Sequence, residues 1–149
     1  MKGTYALVIR VPNRCTIKTG RLGVVEYKKG YYAYAGSAMN GLEARITRHL
    51  NDEKRVHWHV DYLLGHAEVT DVYLEPGAHR RECEVARMLN DNFESIRGFG
   101  SSDCTCDSHL FYSRNKNRLR DVLVECQMRR QRVNKARNTG IKTLNMANS

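Results

Sequence analysis

Residues 31–50 read YYAYAGSAMNGLEARITRHL, and the change of period inside them decides the fold class. Positions 31–35 are rich in tyrosine and end at Gly36, the composition of a short strand stopped by a breaker. From residue 41 onward Leu42, Ile46 and Leu50 recur every four residues, one apolar stripe of an α-helix, with Asn40-Gly41 punctuating its start. Arg45 and His49 stand one turn apart on that helix and therefore share a face. Tyr34 ends the strand just before it.

Working outward, residues 4–11 (TYALVIRV) predict a strand closed by Pro12-Asn13. A second strand is expected over 21–27, followed by the Lys28-Lys29-Gly30 turn, so that with 31–35 three strands form an antiparallel meander. Downstream, 59–66 (HVDYLLGH) reads as a short helix and 68–74 (EVTDVYL) as a strand stopping at Glu75-Pro76-Gly77. Residues 82–90 (ECEVARMLN) are helical, with Val85, Ala86 and Leu89 on one face. A loop rich in Gly, Ser and Asp covers 98–108, and 110–112 give a last short strand. Residues 117–137 hold strong helix formers and few breakers, which predicts a basic helix ended by Asn138-Thr139-Gly140. The expected fold is α+β: a small central antiparallel sheet of about three strands flanked by helices, plus a basic C-terminal helix. The expected division is a body of residues 1–113 and an extension of residues 114–149.

A chain of 149 residues is one domain's worth, long enough to bury a core. With 41% hydrophobic and 28% charged residues it has the balance of an ordinary soluble globular protein. The net charge of +9 favours polyanionic partners, because phosphate contacts release condensed counterions. That charge is localised: residues 114–142 carry ten Lys/Arg against the two acids Asp121 and Glu125. Five cysteines make no regular framework, and the first residues, MKGT, open no apolar leader. No apolar run approaches the roughly 18 residues of a membrane span. A reducing cytoplasm, with thiols free or metal-bound, is the expected location.

The segment 31–50 closely resembles the second half of the signature of the GIY-YIG nuclease superfamily. That signature has a Tyr-x-Gly strand end, a small polar turn, then a helix bearing Arg and His four apart. Here these are Tyr34-Ala35-Gly36, Ser37-Ala38, and Arg45 with His49, and the first half corresponds to Gly3-Thr4-Tyr5. The stretches HWHVDYLL and GFGSSDCTCDSHLFY look typical of an archaeal and bacterial branch of the superfamily, sometimes joined to an endonuclease III-type glycosylase. The resemblance covers about residues 3–112. Both triplets are reduced relative to the family pattern, and the span between them is lengthened by residues 16–27.

The resemblance implies a DNA endonuclease that uses Mg²⁺ or Mn²⁺, with Tyr5, Tyr34, Arg45, His49 and a later glutamate as catalytic residues. Phosphodiester hydrolysis needs an activated water, neutralised phosphate charge and help for the leaving oxygen. Arg45 offers a forked, permanently charged donor to phosphate. Tyr5 or Tyr34 would position or deprotonate the water. A free phenol, with pKa about 10, is a poor base near neutrality, so a nearby cation must help. The family's metal-binding glutamate starts a helix and is followed by apolar residues three and four positions on. Glu82 matches, with Val85 and Ala86 at those offsets, whereas Glu84 is rotated by about 200° toward solvent. A lone carboxylate suits Mg²⁺, which keeps most of its waters.

Two further features carry chemistry. Cys104, Cys106 and His109 are compact enough to supply three ligands to Zn²⁺, with Cys83, His57 or His59 as a fourth; ordinary buried thiols or a redox pair are the alternatives. The 98–103 loop is a candidate for shaping a substrate groove, and His109 for touching the phosphate. In the basic arm, Leu119, Val122, Leu123 and Cys126 form a partial apolar stripe for docking. Arg129, Arg130, Arg132, Lys135 and Arg137, joined by Arg48, would then face phosphates without reading bases. Three functions compete: the endonuclease, acting in repair or on single-stranded or branched DNA; a non-catalytic nucleic-acid-binding module; and a zinc-stabilised partner of a repair glycosylase.

Overall fold

The computed structural model of the chain describes residues 1–51, 56, 58–102, 104–135 and 142–145. Its centre is β1 (Gly3–Val11), in which every residue but Arg10 is buried. Burial on both faces explains the near-continuous apolar run, since each alternate side chain meets a different core. On one face Tyr5, Leu7 and Ile9 lie in a cluster with Leu42, Ile46, Val60 and Leu63. On the other, Ala6 and Val8 join Val85, Leu89, Leu119 and Leu123. Each fully buried aliphatic side chain contributes about 1.5–3 kcal/mol, so this strand anchors both layers.

The elements follow in order. A hairpin of β2 (Cys15–Lys18) and β3 (Val24–Tyr27) forms its own two-stranded sheet. Next come β4 (Gly30–Ala38), α1 (Leu42–Leu50), α2 (His59–Leu64), β5 (Glu68–Pro76) and α3 (Glu82–Asn90). The two-residue β6 (Glu94–Ser95), β7 (Leu110–Ser113), α4 (Lys116–Glu125), β8 (Arg129–Lys135) and β9 (Lys142–Asn145) complete the described chain. Among the described residues no helix is long and apolar enough to cross a membrane.

The architecture is α+β, but the sheet is not the small one of about three strands. Six strands run in the order β6-β7-β4-β1-β5-β8, all neighbours antiparallel, and β9 continues the row by pairing with the outer half of β8. The expected three-strand meander is also corrected. Strand β1 pairs directly with β4, from Gly3 opposite Ala38 to Val11 opposite Gly30, and with β5 on its other side. Both edges of β1 are thus occupied, and among the described residues the 21–27 strand, shortened to β3, pairs only with β2.

The long basic C-terminal helix is likewise replaced. Helix α4 ends at Glu125, where Gln127 takes a left-handed φ of 67°. The Met128 N–H then reaches the Leu123 carbonyl at 3.1 Å and the Gln127 N–H that of Val124 at 2.9 Å, a Schellman closure with glutamine in the position glycine usually fills. Residues beyond it form β8, whose Arg129, Arg130 and Gln131 pair with Leu74, Tyr73 and Val72 of β5. Covering that edge of β5 with backbone hydrogen bonds outweighs helix propensities that differ by only tenths of a kcal/mol.

Candidate active site and metal centre

The ladder of β1 and β4 places Tyr5 directly opposite Gly36. The phenol lies over the glycine: a Cβ there would sit 2.6 Å from the Tyr5 ring and hydroxyl. Helix α1 then carries His49 inward, and the Tyr5 hydroxyl is 2.8 Å from His49 Nε2. Tyr34 joins them, its ring centroid 6.4 Å from that of Tyr5 and 6.3 Å from that of His49. Arg45, one turn before His49, donates from Nη1 to the Ser37 carbonyl at 3.3 Å and stacks 4.5 Å from the Trp58 ring centre. Four of the five residues expected in the site therefore meet at the end of the sheet where β1 begins and β4 ends.

Burial governs their protonation. Tyr5 is pushed up to about 12 by burial, against the charge and hydrogen bond of the Arg45 guanidinium. Tyr34 is held well above the usual phenol range by burial first, with the charges of Tyr5, Asp61 and Glu82 adding and Arg45 opposing. The phenols are 2% and 7% exposed, so half-buried Arg45 is the member most open to solvent.

Glu82 begins α3 beside the same place, close enough for its charge to act on Tyr34. Its Oε2 is buried without a hydrogen-bond partner among the described residues. Glu84 instead lies exposed and accepts from Arg81 Nε at 3.0 Å. The helix turn thus separates the two carboxylates as the sequence spacing requires.

Two residues of this neighbourhood escape sequence reasoning. Asp61, on α2, has a fully buried side chain that accepts a bidentate pair from Arg48 at 3.0 and 3.1 Å. Its Oδ1 also lies 3.9 Å from His49 Nδ1, and its Oδ2 accepts the Trp58 N–H at 2.9 Å. Trp58 has its ring 5.7 Å from His49 and 4.5 Å from the Arg48 guanidinium. The only local signal for Asp61 is its place in the first turn of a helix, which predicts no more than a cap.

A second cluster adjoins the first. Cys83, Cys104, Cys106 and His109 bring four donor atoms within 4.8 Å of one another, a set suited to a metal ion. Cys104 Sγ is 3.2 Å and Cys83 Sγ 4.0 Å from His109 Nε2. Cys83 is thus the fourth member. His59 instead accepts the Gly100 N–H on Nδ1 at 2.8 Å, and His57 lies outside the described residues. Burial, with the neighbouring Cys106 and Cys104 thiols adding, pushes Cys83 up to about 12.

A family model described as "Domain of unknown function DUF123" matches residues 4–132. The chain belongs to the DUF123 family. No curated protein and no solved structure matches it.

In this DUF123 domain the basic residues expected at phosphates have varied placements. Arg48 is engaged by Asp61. Arg130 donates from Nε to buried Asp71 at 2.7 Å, and Lys116 shares that carboxylate at 3.1 Å. Arg129 is exposed on β8, beside a groove of about 730 Å³ formed with Leu74, Pro76, Val124 and Met128. Arg132 and Lys135 occupy positions on β8, and Arg137 lies outside the described residues.

Proposed function

We propose that this DUF123 domain is a divalent-metal-dependent endonuclease that hydrolyses DNA phosphodiester bonds. The convergence of Tyr5, Tyr34, Arg45 and His49, with the partnerless oxygen of Glu82 beside them, carries the reading. Glu82 is the residue that would hold Mg²⁺ or Mn²⁺, since a buried carboxylate oxygen lacking a donor fits a hard, largely hydrated cation. Such an ion, when bound, neutralises phosphate charge and acidifies a coordinated water.

The chain's own residues supply the rest. Arg45 presents its fork to the phosphate's non-bridging oxygens. With His49 protonated on Nδ1, Nε2 accepts the Tyr5 proton, leaving the phenol oxygen's lone pairs to orient the attacking water. Asp61 favours that tautomer from 3.9 Å, and its pairing with Arg48 holds it in place. A net charge of +9 draws the domain to a polyanion, and the substrate class extends to single-stranded or branched DNA in repair, with a glycosylase as a fitting partner. Three converging thiols, Cys83, Cys104 and Cys106, suit a reducing cytoplasm.

One observation favours a non-catalytic nucleic-acid-binding module instead: Tyr5 and Tyr34 are covered, at 2% and 7% exposure. The two readings separate on cleavage of labelled single-stranded, duplex and branched DNA with Mg²⁺ or Mn²⁺. The endonuclease cuts, and Arg45→Ala abolishes cutting with a nearly unchanged melting curve. Binding without cutting across these substrates and metals supports the binding module.

A further inference from the structure

The Cys83, Cys104, Cys106 and His109 cluster has the dimensions of a closed zinc site. Tetrahedral Zn²⁺, with bonds of about 2.3 Å to sulfur and 2.0 Å to nitrogen, separates its donors by about 3.5–3.8 Å. The separations of 3.2 and 4.0 Å to His109 Nε2 bracket that spacing, and every donor lies within 4.8 Å of the others. The histidine is already aimed. Its Nδ1 lies 3.0 Å from the Ala35 carbonyl, so Nδ1 carries the proton and Nε2 turns its lone pair to the sulfurs. Four protein donors leave no open position, which marks a structural ion.

The ligands come from segments distant in sequence. Cys83 is the second residue of α3, Cys104 and Cys106 belong to the loop before β7, and His109 precedes β7. Both ends of this cross-link border the candidate active site. Glu82 is adjacent to Cys83, and Ala35, which anchors His109, lies between Tyr34 and Gly36. Gly100, in the same loop and at a left-handed φ of 69°, lies so close to Tyr34 that a Cβ would be 3.1 Å from the ring.

We propose that Cys83, Cys104, Cys106 and His109 bind one structural Zn²⁺ that clamps the start of α3 to the middle of β4 beside Tyr34 and so positions Glu82. Binding releases the three thiol protons to solvent and leaves His109 neutral, giving a site of net charge −1 with no change of oxidation state. Arg87, one turn after Cys83, places its positive charge near Cys106 and offsets part of that negative charge. The zinc assignment stands independently; only the significance of placing Glu82 rests on the nuclease reading.

The test uses the purified full chain. Elemental analysis is expected to give one zinc per chain, and replacement by Co²⁺ to give the thiolate charge-transfer and tetrahedral d–d bands. Cys104→Ser should lower the zinc content, and Cys15→Ser, outside the cluster, should not. Hydrogen exchange at 82–86 and 98–109 should accelerate when zinc is stripped by chelator, and Mg²⁺-dependent cleavage should fall about tenfold or more. Substoichiometric zinc, with Co²⁺ lacking charge-transfer bands, overturns the assignment even if Cys104→Ser fails to fold. Unchanged exchange after stripping overturns the clamp. Full zinc without any cleavage leaves the zinc site standing and removes the nuclease reading, whereas cleavage by a zinc-free chain does the reverse.

Discussion

Gly36 lies directly opposite Tyr5 in the β1–β4 ladder, and the Tyr5 ring occupies the space that a side chain at Gly36 would need. The glycine is required by contact, not by backbone conformation. Its role is to let the Tyr5 phenol lie over it and reach His49.

Gly36→Ala should therefore displace Tyr5. A methyl 2.6 Å from the ring must push the phenol or open the ladder, at a cost of about 1–3 kcal/mol. Thermal denaturation reads the loss, and NMR of Tyr5 and His49 reads the broken contact. An unchanged melting temperature with both signals in place would contradict the packing described.

Glu82→Ala should leave the metal-free fold as stable as wild type or stabilise it. The first turn of α3 loses a charge worth about 0.3–1 kcal/mol to the helix dipole. Against that, an unsatisfied buried oxygen, costing about 1–3 kcal/mol, is removed. A melting temperature lowered by more than about 4 °C would mean that the carboxylate has a structural partner.

Alkaline pH should unfold the protein through its buried tyrosines. The Tyr5 and Tyr27 phenols are raised from 10.0 to about 12 by burial, and Tyr32 and Tyr34 are raised as well. A raised folded value stabilises the protonated native state, so this contribution is complete below pH 10 and is lost as pH climbs toward 12 and beyond. Tyrosinate absorbance should show these four groups ionising only with unfolding, and Tyr5→Phe should lessen the slope of stability against pH in that range. Ionisation of all four near pH 10 in the folded protein would contradict their burial.

Asp71 should matter both to stability and to nucleic-acid binding. Burial opposes its ionisation, but hydrogen bonds from Arg130, Thr70 and Lys116 outweigh it and hold the carboxyl below its usual 3.8. That contribution is present above pH 3.8 and fades as pH falls through the lower folded value. Asp71→Asn should cost about 1–3 kcal/mol in urea unfolding. By releasing Arg130 and Lys116 it should also tighten DNA binding and steepen its salt dependence. Weaker binding by a folded variant would exclude this face from the interface.

Local patterns were legible where side chains dictate structure alone. The stripe Leu42, Ile46, Leu50 foretells α1, and residues 82–90 match α3 in full. Strands β1 and β5 are readable because β-branched and aromatic residues bury on both faces or alternate. What stays hidden is non-local. The sequence RRQRVNK favours a helix, yet it forms β8 because β5 has an edge to cover. The end of α4 is equally silent, since glutamine and not glycine takes the left-handed position. At the site, the inward turn of Glu82 follows from helix spacing, whereas Asp61 depends on α2 folding against α1. Cys83 stood among three possible fourth ligands, and only the packing of α3 against the loop before β7 selects it.

The most direct test is nicking of supercoiled DNA with Mn²⁺ or Mg²⁺ by wild type and by Glu82→Ala, each checked for an intact melting transition. Nicking by wild type alone is expected, which ties the activity to the carboxylate beside Tyr34. Equal nicking by the folded variant, or none by wild type with either metal, would contradict it.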